Sequence, residues 1–197
     1  MIISLIGPSG SGKSTQAKLI AQKYNLTHLS VGTLFRSEIE KQSSLGQKLK
    51  TFVDQGIWAP DELAIEVIKN NIAPITYKNF IIDGFPRVLV QGKMFEEMLK
   101  LNGSSLTHIF HLNIPISTIY SRRLKTELVD HTRFSDAGRT DETPEAIANR
   151  QNSYDQSIIP ILEYYTQKEL LTQIDATPSV DIISNSIYQK INSLQNL

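Results

Sequence analysis

The sequence of 197 residues contains no cysteine. That excludes disulfide cross-links, a thiolate nucleophile and cysteine-ligated zinc. It also has no charge excess, since 20 basic and 20 acidic residues cancel. Without a global basic field there is no electrostatic case for nucleic acid or a membrane surface as partner. No stretch approaches the roughly 18 consecutive apolar residues that a bilayer span requires. The first residues, "MIISLIG", have the length of one strand, lack a basic leader and run into a glycine-rich turn, so a cleaved signal is not expected. These absences leave a cytoplasmic protein as the expectation. Its 40% hydrophobic content fits one globular domain with a core of its own.

Five short apolar stretches read as strands: 1–6, 26–30, 79–84, 106–114 and 170–176. Helical periodicity lies between them. Residues 13–24 place Leu19, Ile20 and Tyr24 together, residues 60–72 carry Leu63, Ala64, Val67 and Ile68, and a long pattern covers 143–169. Pro160 is expected to kink or break that last helix. Alternation of short apolar strands with helices predicts an α/β fold: a three-layer arrangement around a five-stranded, mainly parallel sheet. Two stretches fit the alternation poorly, a run of helical patterns over 30–72 and the polar, glycine-containing 129–142. Both are expected as insertions in the single domain 1–197, the second as a short lid, and insertions of this kind often move.

The segment "GPSGSGKST" sets Gly7 four residues ahead of Gly12, Lys13 and Ser14. Phosphate binding needs this order. Glycines let backbone amides face the anion, a lysine reaches its terminal oxygens, and a hydroxyl serves Mg²⁺. Gly10, Ser11, Gly12, Lys13, Ser14 and Thr15 are therefore expected to bind ATP, and a helix N-terminus aimed at the same anion adds to their field. Asp83, closing "FIID", is the expected acid at a neighbouring strand end, sharing the metal with Ser14. The four histidines, His28, His108, His111 and His131, show no ligand spacing and are expected in core or surface roles.

"GPSGSGKSTQ", "LSVGTLFR", "DGFPR" and "GRTDE…R" occur in that order, and with "VDQGIWAPDEL" and "IDATPSVDII" they run nearly end to end. The chain thereby resembles the nucleoside monophosphate kinases, and among them the adenylate kinases. The resemblance implies transfer of the γ-phosphoryl group of Mg·ATP to a nucleoside monophosphate, with AMP the expected acceptor. It also implies a monomer. It gives Arg36 and Arg87 the acceptor phosphate, with Val31, Trp58 and Gly84 beside it, and Gln91 the adenine. Arg139 and Arg150 are implied to stabilise the moving phosphoryl group and Asp141 to hold the lid. Arg123 would pack on the donor adenine and Arg133 would be a further lid arginine. The family usually has Ser-Thr-Gly-Asp where this chain has Ser30-Val31-Gly32-Thr33. The UMP–CMP kinases carry alanine at the Val31 position, so Val31 and Gln91 point to different bases. A pyrimidine monophosphate kinase and a nucleotide-binding regulatory protein with weak catalysis stay open as alternatives.

Overall fold

The structure, a computed structural model, describes residues 1–121 and 143–195. Five strands form the sheet: β1 (Ile2–Ile6), β2 (Thr27–Ser30), β3 (Phe80–Asp83), β4 (His108–Asn113) and β5 (Leu171–Asp175). Their order is β2-β3-β1-β4-β5, and every pairing is parallel. The three inner strands are buried almost throughout, while β2 and β5 are half-exposed. This is why the inner strands read as continuous apolar runs. A strand covered on both faces has no side on which polar residues are tolerated.

Alternation along each strand sends side chains into two cores. On one face Ile2, Ile6, Phe80, Ile82 and Ile109 pack under α2 (Val31–Glu40), α4 (Asp61–Ile72), α5 (Leu89–Leu101) and α6 (Pro144–Gln167). On the other, Ile3, Leu5, Ile81, Phe110 and Leu112 pack against α1 (Lys13–Tyr24) and α7 (Val180–Gln195). Each fully buried Ile, Leu or Phe side chain contributes on the order of 2–3 kcal/mol. Phe95 holds the centre of the first core, edge to face with both Phe80 and Phe85.

All five expected strands are present, within two residues of the expected bounds. The consecutive helices expected over 30–72 are α2, α3 (Ser44–Gln55) and α4, which follow the edge strand β2. Two expectations need correction. Leu19 is only half-buried, and α1 instead buries Gln16, Ala17, Ile20 and Ala21. The small residues let α1 lie close to the sheet. Pro160 does not break the long helix, because α6 continues through it to Gln167. Anchors on both sides hold the axis: Tyr154 reaches His111 on β4, and Ile161 and Tyr165 are fully buried beyond the proline. That burial outweighs the one hydrogen bond proline withholds.

Candidate active site

The parallel order puts the C-terminal ends of β1, β3 and β2 side by side, with Leu5 opposite Asp83 and Asp83 opposite Ser30. The loop leaving β1 turns directly into α1. Gly7 holds φ +147, and a Cβ there would come within 2.7 Å of the Leu112 carbonyl, so neither the conformation nor the space admits a side chain. Helix α1 starts after Gly12 with no side-chain cap and no acid in its first turn. Its first amides and the positive end of its dipole are thus left for an anion. The Lys13 ammonium folds back over the loop, donating to the carbonyls of Gly7 (2.9 Å) and Pro8 (2.7 Å). Burial pushes its pKa down to about 8, against the pull of Asp83, with nearby Arg87 adding to the depression. A lysine in that state gains from an anionic partner.

Asp83 gathers the polar groups of three elements. Its Oδ1 accepts from Ser14 Oγ on α1 at 3.3 Å and from Ser30 Oγ on β2 at 3.4 Å. Its Oδ2 lies 2.6 Å from His28 Nε2. This His28 contact was not legible from spacing. A signal for it exists in strand parity: His28 and Ser30 alternate with buried Leu29, and the register sets them opposite Ile81 and Asp83. The hydroxyls and carboxylate form an oxygen donor set beside the phosphate loop, which suits a hard divalent cation such as Mg²⁺. Phosphate oxygens and water would supply its remaining ligands.

The chain then turns sharply. Gly84 donates its N–H to Leu5 O at 2.9 Å, and the buried Ser4 hydroxyl donates to Phe85 O. Arg87 is brought back over the turn, with Nε donating to Gly84 O at 3.1 Å. Its guanidinium stacks between Trp58, at 4.7 Å from the ring centre, and Phe35, at 5.4 Å. Burial, then Arg150, lowers its pKa to about 10, with Asp83 opposing and Arg36 contributing. Three guanidiniums from α2, the β3–α5 turn and α6 therefore converge. Their planar forks match the geometry of phosphate oxygens.

A cleft of about 260 Å³ connects the two halves. Lys13, Ser14, Asp83, Gly84 and, on the apolar side, Trp58 line it together with Arg36, Arg87 and Arg150. Gly10, Ser11, Gly12 and Thr15 lie on the loop and first turn and do not line it, Ser11 being buried and the other three exposed. Two other expected residues are not on the wall either. Val31 is fully buried in the first core, and Gln91 is 1% exposed behind Arg87. Arg123, Arg133, Arg139 and Asp141 lie outside the described residues. Sequence reasoning also missed Phe35, which backs Arg87, and Asp61, which holds Gln91.

A family model described as adenylate kinase matches residues 5–170. Curated adenylate kinases align over nearly the full length. That of Lachnospira eligens is 32% identical, with 95% of this chain and 98% of the relative covered. That of Clostridium novyi is also 32% identical, with 97% and 98% covered. The Trichodesmium erythraeum enzyme is 32% identical, with 96% of each chain covered.

Proposed function

The chain belongs to the adenylate kinase family, and from that premise we infer that it transfers the γ-phosphoryl group of ATP to AMP, yielding two ADP. The observation that carries this reading is the meeting of two anion sites in one cleft, the loop of Lys13 and the arginines Arg36, Arg87 and Arg150. Two phosphates brought to those sites face each other across Asp83 and Gly84.

The acceptor phosphate is itself the nucleophile, so the protein's work is alignment and charge. Lys13 leaves its loop carbonyls for the donor's terminal phosphates. Arg87 and Arg36 clamp the acceptor phosphate, and Arg87 is pre-positioned by its bond to Gly84 O and by the two rings around it. Arg150, which lines the cleft near Arg87, neutralises charge as the phosphoryl group moves. Ser14 and Asp83 would hold Mg²⁺, which supplies further neutralisation of the phosphates when bound. Arg139, Asp141, Arg123 and Arg133 keep the lid and donor roles that the resemblance implies, with 30–72 and 129–142 closing over the ligands to exclude water. Among the described residues no helix is long and apolar enough to cross a membrane. A cytoplasmic monomer completes the proposal.

An ADP-formation assay across AMP, dAMP, CMP, UMP and GMP with Mg·ATP tests this reading. AMP is expected to be the best acceptor. Preference for CMP would move the chain to the pyrimidine branch, and ATP binding without turnover on any acceptor would make it a regulatory nucleotide binder.

A further inference from the structure

Gln91 is buried, yet both ends of its amide are engaged. Oε1 accepts from the backbone N–H of Arg87 at 3.0 Å, and Nε2 donates to Asp61 Oδ1 at 2.9 Å. The two partners are chemically one-sided. A backbone N–H only donates, and a carboxylate only accepts. Turning the amide over would set N–H against N–H and oxygen against oxygen, leaving buried groups unsatisfied on both sides.

We propose that Asp61 is a specificity-determining positioning residue, which locks the Gln91 amide in the one orientation that complements an amino base and opposes an oxo base at the acceptor site. This rests on the reading of the cleft as an acceptor nucleotide site with Gln91 as its base reader. Each amide atom has spent one valence and keeps one, an Nε2–H and an Oε1 lone pair. Adenine offers a ring nitrogen acceptor beside an exocyclic amine donor, and cytosine offers the same pair. Hypoxanthine, guanine and uracil offer the inverse, a carbonyl beside a ring N–H. The locked amide meets the first pattern with two hydrogen bonds and the second with two like-for-like clashes.

The placement ties this lock to the phosphate clamp. Arg87 holds the amide with its backbone N–H and faces the cleft with its guanidinium. Asp61 heads α4 in the helical layer, whereas Gln91 stands on α5, so their bond crosses between two elements. Gln91 lies behind Arg87, and a base reaches it only when the acceptor lobe adjusts around the ligand. Asp61 also stands in the first turn of α4, where an acid favours the helix dipole. That role alone predicts equal effects on every acceptor, which separates it from the lock.

The experiment measures binding by calorimetry, and initial rates, for AMP and for inosine monophosphate, its 6-oxo isostere. It compares the unaltered protein with Asp61→Asn, Asp61→Glu and Gln91→Ala. The unaltered protein is expected to prefer AMP by about 100-fold, since a site built on hydrogen bonds rejects the mismatched pattern strongly. A carboxamide at position 61 can donate as well as accept, so a turned Gln91 regains one partner. Asp61→Asn is then expected to lower the AMP-to-inosine ratio by about tenfold, with Asp61→Glu restoring it. Equal weakening of both acceptors in Asp61→Asn, or no preference in the unaltered protein, overturns the proposal. Should Asp61→Asn fail to fold, Asp61→Ser takes its place, because its hydroxyl also both donates and accepts. An unchanged ratio in Gln91→Ala would show that Gln91 does not read the base, and it too overturns the lock. Absence of turnover on every monophosphate would instead strike the kinase reading, and the binding ratios would still decide the role of Asp61.

Discussion

Arg87 gives the sharpest distinction at the scale of single residues. It sits on the acceptor side of Asp83, stacked on Trp58 and Phe35, while Lys13 serves the donor loop. Replacing Arg87 with alanine is expected to raise the KM for AMP by about 100-fold, the loss of a charged hydrogen-bonding partner worth some 2–3 kcal/mol. The affinity for ATP is expected to stay within a few-fold. Trp58 is the sole tryptophan of the chain and faces the cleft, so its emission reports acceptor binding without a label. Titration with AMP is expected to change that emission more than titration with ATP, and equal responses would argue against the division of the cleft. Sequence motifs point to Lys13, Ser14, Arg36, Trp58, Asp83, Gly84, Arg87 and Arg150, and these residues line the cleft, because motifs at turns and helix starts fix where their side chains emerge. His28 and Asp61 stayed hidden because their importance lies in partners 55 and 30 positions away in the chain.

Between elements, the tightest joint lies in the helical insertion. A Cβ on Gly46 would stand 1.9 Å from the Glu38 carbonyl, so α3 touches α2 where only glycine fits. Ser43 fastens the same corner, accepting from Gly46 N at 2.9 Å and donating to Glu38 Oε2 at 2.7 Å. This bond is the main cause that lowers the Glu38 carboxyl below its ordinary range. Gly46→Ala must push α3 away from α2, and is expected to cost about 1–3 kcal/mol in urea unfolding. Because α2 carries Arg36 and α3 carries Phe52 and Val53 of the cleft wall, the KM for AMP should rise while that for ATP holds. A neutral outcome in both would mean the joint has slack. The existence and type of these helices were legible from apolar periodicity, but their contact was not, since a glycine in a helix gives no sign of what lies against it. Pro160 misled for a related reason. Its local cost is legible, whereas the burial of Ile161 and Tyr165 that overrides it belongs to the tertiary structure.

Taken as one molecule, the sheet carries two imidazoles in its interior. His108 bonds Thr172 Oγ1 at 2.8 Å, and His111 bonds the Tyr154 hydroxyl at 2.7 Å. Burial lowers both pKa values to about 4, Lys190 adding to it at His108, while Gln173 opposes it and Lys13 adds at His111. Between that value and the ordinary 6.5, the unfolded chain binds more protons than the folded one. Stability is therefore full above that window and falls as the pH drops through it, by up to about 1.4 kcal/mol per pH unit for each histidine. Urea midpoints measured from pH 7 to pH 4 should show this slope, and His108→Gln with His111→Gln should flatten it; an unaltered slope would remove the histidines as its cause. The order of the sheet has a further consequence, in time rather than in energy. Strand β1 is central, yet it is the earliest along the chain, and its neighbours are tied to it across separations of 78 and 105 residues. During synthesis the most apolar strand emerges first and waits for partners that emerge much later. The phosphate loop at its end, where Gly7 packs against Leu112, cannot take its final form until β4 has left the ribosome, so this topology favours a late, long-range closing step in folding.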